Sequence, residues 1–245
     1  MGTLYLVRHG QASFGAEDYD HLSSLGQQQS VRLGEYFRQK GVAFEAVLTG
    51  TLRRHQQTYD GIRAGGTTTL TPCYGPASMS STAWPSLPPS TLQAGKPDSP
   101  ELYRHHFRLL RDGLTQWMNG VVSPKGMPSY REFRQGVVDA LDHVRKHHEG
   151  NVLIVSSGGP IATAIGHVLG TTPETTIELN LRIRNSAITE FAVNRKRHSL
   201  LTYNTLPHWN MPTTPTGLPT LERSLATQQS LNIRFAHVGC ADEAI

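Results

Sequence analysis

Arg8-His9-Gly10-Gln11 follows directly on the apolar run Tyr5-Leu6-Val7. A short β-prone stretch that stops at a cation, an imidazole and a glycine reads as a buried strand delivering polar side chains to its carboxyl end. In open α/β sheets that end is where ligands bind. A guanidinium beside an imidazole disfavours its protonation, so the ring is more often neutral near neutrality and keeps a lone pair that can attack phosphorus. His9 is therefore a candidate nucleophile. Arg8 can offer a planar fork of donors to phosphate oxygens, and Gly10 lets the backbone approach a bound group closely. Arg-His-Gly alone is short and also fits an ordinary strand end.

A second stretch has the same form. Asn151 to Val155 is an apolar, β-branched strand that runs into Ser156-Ser157-Gly158-Gly159-Pro160 and then the helical pattern Ile161, Ile165, Val168, Leu169. A strand, a glycine turn and a helix with proline in its first turn make an anion cradle, with Ser157 and Gly158 at its mouth.

Three blocks set these residues in a wider pattern. Leu6-Val7-Arg8-His9-Gly10-Gln11-Ala12-Ser13 is followed by Leu22-Ser23-Ser24-Leu25-Gly26-Gln27-Gln28-Gln29 and then by Thr49-Gly50-Thr51-Leu52-Arg53-Arg54-His55-Gln56-Gln57-Thr58. In kind and order they resemble the histidine phosphatase superfamily, the phosphoglycerate mutase-like group, over Met1 to about Arg63 and about Pro97 to His208. The resemblance implies that His9 becomes phosphorylated, that Arg8 and Arg54 hold the phosphate, and that an acidic residue handles the leaving-group proton. It also implies a second histidine before the glycine pair, where this chain has Ser157. Serine can donate a hydrogen bond but carries no charge, so charge stabilisation at that point is expected to be weaker. A Ser-Gly-Gly version also occurs as a variant within the superfamily.

Several elements must position these groups. Ser23 or Ser24 to Lys40 is a helix by the spacing of Leu25, Val31, Leu33, Tyr36 and Phe37, capped by serine and ended by Gly41. Phe44 to Leu48 is a strand, and Arg54 lies at the start of the next helix on the same sheet edge, where a phosphate would also meet the helix terminus. Ser99 to Met118 and Ser129 to His148 are amphipathic helices. Ser186 to Val193 and Leu200 to Tyr203 are strands joined by a turn at Arg195-Lys196-Arg197. The fold expected is a three-layer α/β sandwich with a mostly parallel sheet, phosphoglycerate mutase-like.

Composition sets limits. With 245 residues, 37% hydrophobic and 17% charged, the chain can form one domain with a substantial core, taken as 1–208. The net charge of +4 suits an anionic substrate, but the cations are scattered, so nucleic acid is not an expected partner. No apolar run approaches the ~20 residues that span a bilayer, so no membrane partner is expected and the protein reads as cytosolic. Cys73 and Cys240 give neither a metal-ligand spacing nor a disulfide framework. Oligomeric state leaves no mark in the sequence.

Gly66 to Gly95 carries no charged residue. A structureless stretch of that length is unexpected within a compact domain. Residues 73–95 read either as a low-complexity insertion or as out-of-frame translation, since Cys73 to Ser80 read one base earlier can encode a segment ending in glutamate. The tail 209–245 reads similarly as disordered or aberrant. The acid that the resemblance calls for is thus not assigned. Glu101 is its nearest stand-in, although a glutamate at a helix start is explained by capping and dipole effects alone. Glu17, Asp18 and Asp20 read as solvated loop charges.

The function expected is hydrolysis of a small-molecule phosphomonoester through a phosphohistidine, without a metal or other cofactor. The alternatives are a phosphoglycerate mutase-type phosphotransferase and an impaired, phosphate-binding member of the fold.

Overall fold

The opening strand, β1, spans Gly2–Arg8, and its alternation sorts the core. Leu4 and Leu6 are buried in one apolar cluster; Val7, with Tyr5 packed against it, belongs to a second. A period of two does this when both faces of a sheet are covered. The wholly buried β3, Val152–Ser156, divides the same way, Val152 and Ile154 to the first cluster and Leu153 and Val155 to the second. The computed structural model describes residues 2–13, 20–66, 70–72, 100–123 and 126–210, all within one compact unit, Met1–Asn210. The segments suspected to be out of frame lie outside these residues, apart from Trp209 and Asn210.

Helices α1 (Ser24–Gln39) and α2 (Arg53–Gly65) cover the second face through Leu33, Phe37, Tyr59 and Ile62. On the first face α3 (Pro100–Met118), α4 (Tyr130–His147), α5 (Gly158–Leu169) and α6 (Pro173–Arg182) contribute Trp117, Leu141, Ile161 and Ile177. The result is the three-layer α/β sandwich expected. Side chains set the helix limits: Ser23 accepts from the Gly26 amide at 3.1 Å to start α1, and Ser129 with Glu132 forms a capping box on α4. No helix among the described residues is long and apolar enough to cross a membrane.

The sheet has the order β2-β3-β1-β4-β5, with β2 at Ala46–Thr49, β4 at Ile188–Val193 and β5 at His198–Thr205. It is mixed rather than mostly parallel. The trio β2, β3 and β1 is parallel, β4 runs antiparallel to β1, and β5 antiparallel to β4. The basic hairpin accounts for the second of these reversals. Asn194 Oδ1 accepts from the amides of Lys196 at 2.8 Å and Arg197 at 3.0 Å, and so short a turn can join only antiparallel strands.

Register now fixes the place of any chemistry. Arg8 lies opposite Ser156 and Thr49 opposite Val155, so the three parallel strands end side by side. The chain beyond each end is tied to β3: the His9 amide donates to Ser156 O at 2.9 Å, and the Gly50 amide to Val155 O at 3.1 Å.

Candidate functional site

His9 is buried to 4% exposure where β1 ends. Its Nδ1 lies 2.7 Å from the Gly10 carbonyl. A carbonyl can only accept, so Nδ1 carries the hydrogen and Nε2 keeps its lone pair. Burial first, then the charges of Arg8, His55 and Arg54, hold the ring well below the ordinary histidine range, opposed only by the bond to Gly10. Arg8 and Arg54, both predicted beside His9, thus lie near enough to act on the charge of its ring. Arg8 is fixed by a hydrogen bond from Nη1 to Ile183 O. The loop after α6 closes over the strand end: the Asn185 amide group donates to His9 O at 3.2 Å, and the Ser186 amide to Arg8 O at 3.1 Å.

Arg54 occupies the first turn of α2, as expected, but an anion already holds that terminus. Asp20 Oδ1 accepts from Arg54 Nη1 at 2.8 Å, and its other oxygen accepts from the Arg53 amide at 2.9 Å. Asp20 is therefore not a free loop charge. It supplies the side-chain cap that Leu52, at the N-cap position, cannot give. No periodic pattern announced it, because it acts across more than thirty residues of sequence.

The residue that the sequence reading passed over is His55. On α2 the buried positions His55, Thr58, Tyr59 and Ile62 follow the spacing of a core-facing stripe, which was the available signal. The ring is 0% exposed and its centroid lies 5.6 Å from that of His9. His55 Nε2 is 2.8 Å from Ser157 Oγ, and its Nδ1 packs against Gly50, where a Cβ would stand 2.1 Å from it. Burial, then Arg54, pushes its pKa down to about 3. His208, fully buried with Nε2 3.0 Å from Ser186 Oγ, is pushed down to about 3 by burial and then Arg32.

These two buried neutral rings give an acid limit to the fold. Above the ordinary histidine pKa both rings are neutral whether folded or unfolded, and their contribution to stability is fully present. Below it the unfolded chain binds protons that the fold excludes, so each ring subtracts about 1.4 kcal/mol per pH unit until its folded value is reached. Urea denaturation is expected to show a loss of at least about 4 kcal/mol between neutral pH and about pH 5, to which the buried His9 adds, a large part of a typical domain's stability. His208→Gln should lessen that slope. A stability flat over the same interval would contradict the buried neutral rings.

The remaining predicted residues take these places. The Gly10 amide donates to Thr58 Oγ1 at 3.0 Å, and a Cβ on Gly10 would stand 2.4 Å from Gly26 O, so this glycine is required by the contact of β1 with α1. Ser157 and Gly158 begin α5 beside His9, with Ser157 at 9% exposure and Gly158 against Asn180 of α6. Glu101 lies in the first turn of α3 with its side chain 73% exposed, paired to Arg104 at 2.7 Å. Two guanidinium groups, a helix start and a neutral imidazole at one end of the sheet are donors and a base of the kind that suit a tetrahedral anion.

A family model described as histidine phosphatase superfamily (branch 1) matches residues 4–206. No curated protein matches the chain. Among solved structures, phosphoserine phosphatase from Entamoeba histolytica is similar at 19% identity and a TM-score of 0.58, over 85% of this chain and 99% of that one. A putative alpha-ribazole-5'-P phosphatase from Escherichia coli is similar at 19% identity and 0.60, over 84% and 98%. YhfR from Bacillus stearothermophilus is similar at 20% identity and 0.60, over 85% and 99%.

Proposed function

The chain belongs to the histidine phosphatase superfamily, and on that premise we propose that it hydrolyses a small phosphomonoester through a phosphohistidine at His9. One observation carries the reading: a buried imidazole with Nδ1 tied to the Gly10 carbonyl, a lone pair on Nε2, and two guanidinium groups acting on the same ring. In the first step the Nε2 lone pair bonds to phosphorus in line as the P–O bond to the ester oxygen breaks and the leaving alkoxide takes a proton from solvent water. In the second a water oxygen attacks phosphorus, the P–N bond breaks, and inorganic phosphate leaves with His9 neutral again. Arg8 and Arg54 hold the equatorial oxygens, and their charge meets the charge that develops there. The phosphatases of like fold suit a small substrate.

Acid and base stability of the intermediate tests the mechanism. Mixing the full chain with a phosphorus-labelled aryl phosphate and quenching in alkali is expected to leave label on the protein that is lost on acid treatment, as for a phosphoramidate. His9→Ala should carry none. Label that survives acid, or turnover with no trapped label, would overturn the proposal.

A further inference from the structure

We propose that Ser157 and His55 together do the work of the second histidine, the Ser157 hydroxyl touching the phosphoryl oxygen and His55 acting behind it as the positioning residue that supplies the proton. The inference deepens the proposed function and rests on it for the nature of the anion.

The first observation is a cap that is not made. Ser157 is the N-cap of α5, a place where serine ordinarily accepts from an amide of the first turn, yet its side chain makes no such bond. Its oxygen lies instead 2.8 Å from His55 Nε2. The second is the order of burial. Ser157 keeps 9% exposure while His55 has 0%, so the hydroxyl is the member open to an arriving anion and the ring stands behind it. The third is the ring's own cost. An imidazole on the stripe that otherwise holds Thr58, Tyr59 and Ile62 is a buried polar group, tolerated only where it is hydrogen-bonded. Its hydrogen-bond partner is Ser157, and Gly50 packs against Nδ1 on the other side of the ring.

Those contacts dictate what an anion does. In the free protein the ring is neutral; with its hydrogen on Nδ1, Nε2 accepts from the Ser157 hydroxyl. The groups that face it are Arg54 on its own helix, with Asp20 paired to Arg54, and His9, whose ring centroid is 5.6 Å away. A dianion between the two guanidinium groups gives the hydroxyl a stronger acceptor, so the Ser157 hydrogen turns to the phosphoryl oxygen. Two lone pairs then face each other across 2.8 Å, an arrangement relieved when Nε2 takes a proton from solvent. The imidazolium so formed donates from Nε2 to Ser157 Oγ and turns a neutral serine contact into a charge-assisted one. The charge that Ser157 cannot carry is thus held one residue further back.

Binding and turnover test this separately. Calorimetric titration of the full chain with tungstate, a dianion at neutral pH, in two buffers of different ionisation heat is expected to show net proton uptake on anion binding, growing as the pH is lowered. His55→Gln and Ser157→Ala should each bring that uptake near zero, and the second is the milder change should the first not fold. In turnover His55→Ala is expected to lower kcat at least about tenfold, and Ser157→His added to it to recover most of that loss by placing an imidazole directly at the anion. A purely structural role for His55 gives no such recovery. Absence of uptake in the unaltered protein, uptake that persists in His55→Gln, or a folded double variant no faster than His55→Ala would each overturn the inference. Uptake that depends on His55 in a protein without phosphatase activity would instead sink the proposed function and leave the pair standing.

Discussion

His9→Ala is expected to lower kcat for an aryl phosphate by a factor on the order of 10⁴ or more, the largest single effect available in this chain. The reason is that its place in the reaction is filled by no other side chain. The ring is fixed at both ends of its geometry, by the Gly10 carbonyl at Nδ1 and by the amide of its own residue on Ser156 O, so Nε2 stands ready without reorganisation. Burial and the neighbouring cations keep it neutral well below the ordinary histidine range, so the attacking form is the resting form at neutral pH. What remains after truncation is the anion site without a nucleophile, and binding alone supplies little to kcat. His9→Gln, which keeps most of the side-chain volume, should be as inactive, separating the loss of the lone pair from a packing defect. Initial rates with each variant at matched folded concentration decide it. Either variant within tenfold of the unaltered protein would remove His9 from the reaction.

The sheet edge was legible because parallel pairing needs little information. Apolar runs at Tyr5 to Val7 and Asn151 to Val155 predict buried strands, and once they pair, Arg8 and Ser156 must fall opposite each other. Helix α6 was missed although Thr172 caps it and Pro173 opens it, because only Ile177 among its residues joins Thr176 in being buried and no apolar stripe forms. His55 was missed for the opposite reason: it was read as part of a linear motif beside Arg54, while its meaning lies in the face it shares with Tyr59 and Ile62. Asp20 and Gly10 show a further limit. Their partners, Arg54 and Gly26, are set by how α1 and α2 pack on the sheet, and nothing local in the sequence encodes that distance.

Arg54→Ala is expected to lower kcat/KM by about 10² to 10³, close to the cost of removing one donor from a site where charge develops. The argument lies in how Arg54 is held. Asp20 fixes Nη1 at 2.8 Å and, by also accepting from the Arg53 amide, locks the guanidinium to the first turn of α2. The Arg54 side chain is only 14% exposed, against 35% for Asp20, so the fork is turned inward while its partner faces out. A cation held in that way meets an anion with little entropy left to lose. It follows that Arg54→Lys should recover less than a tenth of the lost rate, because lysine keeps the charge but loses the planar fork that would serve Asp20 and a phosphoryl oxygen together. The inhibition constant of inorganic phosphate should rise in both variants, since ground-state binding uses the same donors. A lysine variant near full activity would mean that charge alone matters at this position, and an alanine variant within threefold would place Arg54 outside the anion site, leaving its pairing with Asp20 as a helix cap and nothing more.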